Sequence, residues 1–136
     1  MTDFGYIFDK LQRSPFMEQF VTYLKEGKLM ATKCTSCGTM HMPPREHCTC
    51  LNTEMEWVEV TPEATLKAFT MINFAPDVLA DKQPYFVGIA ETPEGLRMMG
   101  WLTGDATQNP QVGMKLKISP QELEGDKIVY KFTKVL

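Results

Sequence analysis

The chain has 136 residues, a formal net charge of −3 and 23% charged residues. That length suits one domain, or a small domain with a metal module. The acidic balance argues against nucleic acid as the main partner, which normally needs a basic face. No apolar run approaches the roughly 20 residues of a membrane helix, and Met1-Thr2-Asp3-Phe4 lacks the basic start of a secretory signal. The chain is therefore expected to be cytoplasmic.

Residues 1–14 carry Phe4, Tyr6, Ile7, Phe8 and Leu11. So apolar a segment reads either as a short helix folded back on the domain or as an arm that docks on another protein. Ser14-Pro15 then reads as a helix N-cap with proline in the first helical position. Phe16, Phe20, Tyr23 and Leu24 fall on one face of that helix, and Gly27 marks its end. Leu29, Ala31 and Lys33 lead as a short strand into the next segment.

Residues 34–50 hold all four cysteines of the chain and both histidines. Cys34 and Cys37, followed by Gly38, have the spacing of a zinc knuckle: a tight turn aims both sulfurs at one point. The second pair, Cys48 and Cys50, is one residue shorter than Cys-x-x-Cys. Four thiolates around one ion make a closed, structural site with no open position for chemistry. Two disulfides or an iron centre could use the same residues. The absence of an export signal counts against disulfides, and the short second pair counts against iron. The expected ligands are Cys34, Cys37, Cys48 and Cys50, with His47 or His41 as the reserve for one sulfur.

Beyond the cysteines, Trp57-Val58-Glu59-Val60 alternates and leaves the knuckles as a strand. Strands are expected at 65–74, 85–91, 96–102, 114–119 and 128–135. The intervals 75–84 and 103–113 read as loops, Thr92-Pro93-Glu94-Gly95 as the turn of a hairpin, and 120–126 as a turn region. Five strands with that hairpin and longer links elsewhere fit a Greek-key barrel of the OB type. The fold class is mainly β, with three parts: an N-terminal helical segment (1–30), a rubredoxin-like zinc ribbon (31–60) and an OB-fold domain (61–136).

This order of parts resembles the zinc-ribbon/OB-fold acyl-CoA-associated proteins first catalogued as domain of unknown function 35. The residues that carry the resemblance are Gly27-Lys28-Leu29, Lys33-Cys34-Thr35-Ser36-Cys37-Gly38, Pro43-Pro44-Arg45 and Cys48. In the barrel they are Pro84 to Ala90, Gly95-Leu96-Arg97, Val112-Gly113-Met114 and Tyr130-Lys131-Phe132. The resemblance covers residues 16–136. The chain departs from the family at Cys48-Thr49-Cys50, where Cys-Pro-x-Cys is usual. The resemblance implies an accessory subunit that pairs with a thiolase-like large subunit on an acyl-CoA thioester, in a hetero-oligomer of aromatic-compound degradation.

A thiolase needs a nucleophilic cysteine, a second cysteine or equivalent base, and a histidine. With four sulfurs on a metal, no free thiol remains, and both histidines sit in the ribbon. There is no Gly-x-Ser-x-Gly elbow and no phosphate-cradling glycine loop. The chain is expected to lack catalytic residues of its own. Coenzyme A, with its pyrophosphate and 3′-phosphate, wants a few well-placed cations. Arg45, stiffened by Pro43-Pro44, together with Arg97, Lys115 and Lys117, are the candidates, although strand lysines on one face are more often simply solvated. The competing readings are a nucleic-acid-binding ribbon/OB protein and a rubredoxin-like electron carrier, which a visible iron–thiolate absorbance would reveal.

Overall fold

A computed structural model describes residues 3–4, 14–124 and 126–135. Two sheets and one helix share a single core. Helix α1 spans Pro15–Lys25. Ser14 caps it, its hydroxyl accepting from the Met17 N–H at 3.1 Å. Its C-terminus closes through Gly27 at φ +80°. The Gly27 N–H donates to Leu24 O at 3.0 Å and the Lys28 N–H to Tyr23 O at 2.9 Å, the paired bonds of a Schellman turn. Phe20, Val21 and Leu24 are buried. Phe16 stacks on Trp57 at 4.9 Å, and Tyr23 meets the same ring edge-on at 5.3 Å. The helix therefore packs on both the ribbon and the barrel.

Strand β1 is only Asp3–Phe4. It lies parallel to β9 (Lys127–Lys134), with Phe4 beside Ile128. The expectation of a short helix or a docking arm over residues 1–14 is corrected at Phe4 alone: it belongs to a sheet, and its ring packs on Phe20 at 5.3 Å and on Tyr130 at 5.7 Å. Tyr6, Ile7, Phe8 and Leu11 lie outside the described residues.

The ribbon is a three-stranded sheet in the order β3 (Met40–His41), β2 (Met30–Cys34), β4 (Met55–Glu59). The barrel uses β5 (Glu63–Ile72), β6 (Tyr85–Glu91), β7 (Arg97–Leu102), β8 (Lys115–Leu123) and β9. The order β9-β7-β6-β5-β8, closed by pairing of β8 with β9, completes the five-stranded barrel expected of an OB fold. Its interior is filled by Leu66, Ala90, Met98, Leu102, Leu116, Ile118, Ile128 and Phe132, all buried.

Several intervals differ from the sequence reading, and the 103–113 loop contains a 3₁₀ helix, Gly104–Thr107, that buries Ala106. The 75–84 interval contains a 3₁₀ helix, Asp77–Lys82, that buries Leu79. More informatively, 120–126 is not a turn throughout, because β8 runs through Pro120 to Leu123. Proline is tolerated there for a clear reason. β5 pairs with β8 only at Lys115–Lys117. The Ile118 N–H donates to Pro62 O at 2.8 Å on that side. Alternation puts the Pro120 nitrogen on the same side, where no neighbouring strand continues.

Closure needs a residue without a side chain at Gly88. A Cβ there would lie 2.8 Å from Leu66 Cδ1 and 3.3 Å from the Ala68 carbonyl oxygen. Leu66 is fully buried and cannot swing into solvent. Gly88→Ala is expected to destabilise the protein by about 1–3 kcal/mol, read as a lower urea midpoint at unchanged slope.

Candidate metal centre

Two turns build the site. The first is Cys34 to Gly38: the Gly38 N–H donates to Cys34 O at 3.1 Å, and Gly38 sits at φ +77°. The second is Cys48 to Leu51: the Leu51 N–H donates to Cys48 O at 2.9 Å, with Leu51 at φ +74°. The pairs thus differ by one residue because the second turn closes one residue earlier. The left-handed residue that ends it is a leucine, 87% exposed. A leucine held at positive φ costs about 1–2 kcal/mol relative to glycine, so something must hold this turn closed.

The four Sγ atoms lie within 4.8 Å of one another. Cys34 and Cys50 are 3.6 Å apart and Cys37 and Cys48 are 3.4 Å apart; none is in a disulfide. A tetrahedral zinc with bonds of about 2.3 Å needs sulfur–sulfur edges of about 3.8 Å. The donor set and its dimensions therefore fit a closed, structural zinc. His41 and His47 are not part of the sulfur cluster among the described residues. His47 lines a cleft with Phe16, Met55 and Trp57, and His41 lines another with Arg45 and Arg97.

The electrostatics point the same way. The Cys34 thiol is drawn down to about 5, first by the Cys37 N–H and next by the Asn52 amide, against the cost of burial. Cys37 is also lowered, chiefly by the Thr39 hydroxyl. At Cys50 the Asn52 backbone N–H works to lower the value, but the sulfurs of Cys48, Cys34 and Cys37 outweigh it and push the thiol up to about 12. The first thiolate forms easily and the last is resisted by its neighbours' charge, a conflict that a divalent cation removes.

Asn52 was not singled out in the sequence. Its Nδ2 donates to Cys34 Sγ at 3.3 Å, to Thr35 Oγ1 at 3.2 Å and to Glu54 O at 2.9 Å. It orients the ligand sulfur and ties the second knuckle to the first. The signal that could have found it is its place four residues after Cys48, where a polar side chain follows a shortened knuckle.

The four cation candidates separate. Arg45 and Arg97 line one cleft, between the ribbon and the β6–β7 hairpin. Lys115 lines a different one, beside Lys67 and among Glu63 and Glu91, and its Nζ donates to Thr65 Oγ1 at 3.0 Å. Lys117 is exposed and lines neither.

Two aromatics lie on the outer surface of the barrel. Tyr85 and Trp101 stack at 3.9 Å on the outer face of β6 and β7 and line an apolar cleft of about 680 Å³ with Phe4, Pro43, Ile72 and Met99. They are half-buried and outside the barrel interior, whereas Phe86 packs against the core.

Comparison with known proteins supplies the family. Residues 22–56 match the family model described as "ChsH2, rubredoxin-like zinc ribbon domain", and residues 57–120 match "ChsH2, C-terminal OB-fold domain". A DUF35 domain-containing scaffold protein of Methanocaldococcus jannaschii is 26% identical over 100 residues, covering 72% of this chain and 71% of that one. A solved structure titled "Ltp2-ChsH2(DUF35) aldolase" superposes with a TM-score of 0.77 at 21% identity, over 93% of this chain and 100% of that one. A DUF35-family protein of unknown function from Sulfolobus solfataricus gives 0.60 at 27% identity, over 88% and 86%.

Cys34→Ser and Cys37→Ser are each expected to lose the metal and unfold the ribbon, because the binding energy of such a site is folding energy. Unchanged circular dichroism and unchanged metal content would contradict the assignment. Asn52→Ala should keep the fold but weaken zinc retention about 10- to 100-fold in a chelator competition. On this ribbon, this barrel and these matches, the chain belongs to the DUF35 family of zinc-ribbon/OB-fold proteins, with the two domains of the ChsH2 type.

Proposed function

We propose that this chain is a non-catalytic accessory subunit of a heteromeric thiolase acting on an acyl-CoA thioester. It docks on the large thiolase subunit and completes or stabilises it. Cys34, Cys37, Cys48 and Cys50 hold a structural zinc in this reading, and reactivity comes from the partner. The division into an N-terminal segment to residue 30, a ribbon to residue 60 and a barrel thereafter is the working domain plan. Thiols kept out of disulfides suit a reducing compartment such as the cytoplasm. No helix among the described residues is long and apolar enough to cross a membrane.

The observation that carries this reading is the outer face of the barrel. An antiparallel strand with one wet face alternates apolar and polar residues. On β6, Gly88 and Ala90 are buried, so Tyr85, Val87 and Ile89 point outward. Ile89 pairs with Ala68 and Met99, Val87 with Thr70 and Trp101, and Tyr85 with Ile72. Met99 is 65% exposed and Ile89 39% exposed. An apolar sheet face of that kind suits a protein partner. Relatives agree in kind: the Methanocaldococcus jannaschii protein is called a scaffold protein, and the ChsH2 chain of the aldolase structure is paired with Ltp2.

The best-matched reaction is that of 2-benzoylsuccinyl-CoA thiolase in anaerobic toluene degradation, on the resemblance in the order of parts. Co-expression with a thiolase-like large subunit should yield a complex that cleaves 2-benzoylsuccinyl-CoA. Met99→Glu should abolish co-purification while leaving zinc content unchanged. A large subunit that is fully active and stable without this chain would sink the proposal.

A further inference from the structure

β5 pairs with β8 only at Glu63–Thr65, while its pairing with β6 runs on to Ile72. Beyond that short pairing, Leu66 still bonds toward the β8 side. Its N–H donates to Met114 O at 3.0 Å, and its carbonyl accepts from the Gly113 N–H at 2.8 Å. From Ala68 to Ile72 no further strand lies along that side among the described residues. The stretch is an open sheet edge, a row of backbone donors and acceptors able to take another strand.

Other edges of the molecule are blunted. β8 opens an edge of its own where it leaves β5, and that edge carries Pro120 and Glu122. β4, at the margin of the ribbon sheet, carries Glu56 and Glu59. Charge and proline are the usual means by which an edge refuses a partner. The β5 edge has neither: residues 68–75 hold no charged side chain and no proline. The bulge between Leu66 and Ala68 falls before the run, not within it.

The side chains agree with the edge. Phe69 pairs with Gly88 and Met71 with Phe86, so both share the sheet face that lines the barrel interior. Yet Phe69 is 37% and Met71 45% exposed, because this end of β5 runs past its pairing with β8. Thr70 and Ile72 are on the opposite face and line the cleft of the Tyr85–Trp101 stack.

We propose that two copies of this chain meet at this edge, β5 against β5, antiparallel about a two-fold axis at Thr70. A two-fold contact must be complementary to itself, and this strand is. With Thr70 opposite Thr70, Phe69 falls opposite Met71, Ala68 opposite Ile72 and Lys67 opposite Asn73. Apolar side chains meet apolar ones, and no like charges face each other. Threonine pairs are themselves favourable across antiparallel strands. The seam covers Phe69 and Met71 and leaves the Tyr85–Trp101 stack open on the other face. It goes beyond the docking proposed above and does not depend on it.

The test is sedimentation of the zinc-loaded full chain, without any partner, over a concentration series. So short a seam predicts a dissociation constant on the order of 10–100 μM. The mass should therefore rise with concentration from 15.5 kDa toward twice that value. Thr70→Lys sets two ammonium groups face to face and should weaken the dimer about tenfold or more. Thr70→Glu should do the same, and an equal mixture of the two variants should form a dimer with one copy of each. Met99→Glu, on the Tyr85–Trp101 face, and Glu122→Lys, on the β8 edge, should leave the dimer intact. Thr70 is exposed, so zinc content and circular dichroism should remain those of the native chain. A chain still monomeric at about 200 μM would overturn the seam and leave the edge to a strand of another protein. A dimer that survives Thr70→Lys, a mixture that stays monomeric, or a dimer lost in Met99→Glu or Glu122→Lys would overturn it too. Since no large subunit is present, failure here leaves the docking proposal standing.

Discussion

Four sulfur atoms within 4.8 Å of one another form an arrangement that does not hold itself together. Two of the thiols are pulled toward thiolates by amide and hydroxyl donors, while a third is pushed far the other way by the neighbouring sulfurs. A dication resolves that conflict and turns mutual repulsion into four bonds. The strained turn at Leu51 and the run to Asn52 lie outside the shared apolar core. Their geometry follows from the metal and from Asn52, which links both knuckles.

The rest of the chain is stabilised by burial. Helix α1 inserts Phe20, Val21 and Leu24 into a core that also takes Leu29, Ala31 and Val60 from the ribbon and Phe132, Leu116 and Leu66 from the barrel. At roughly 1.5–3 kcal/mol for each large apolar side chain removed from water, this shared core outweighs any single surface ion pair. The Lys28–Glu26 pair, for example, is well exposed and contributes little.

Much of this was legible in the chain. Ser14-Pro15 and Gly27 bracket the helix because capping is local chemistry, readable without the fold. The Cys34 and Cys37 spacing announces a knuckle because the turn and its ligands are contiguous. Tyr85–Glu91 reads cleanly as a strand. What hid did so for tertiary reasons. The path of β8 through Pro120 depends on where β5 ends, and nothing in the local sequence records that. Asp3–Phe4 forms a strand only because β9 offers an edge. The run Tyr85 to Ala90 is continuously apolar, the pattern of a strand covered on both faces, yet only the barrel identifies which side faces out. The candidate cations were readable as residue types, but that Arg45 and Arg97 line one cleft, Lys115 another and Lys117 neither was not, since it depends on how ribbon and barrel meet.

The aromatic contact of Phe16 and Tyr23 with Trp57 has a consequence for how the molecule presents itself. One face of helix α1 grips the metal-bearing sheet while the other is sunk in the barrel, so the knuckle tips keep a set distance and angle from the Tyr85–Trp101 stack. Whatever meets both must match that spacing as it would the teeth of a key, and cannot draw them together by bending a hinge.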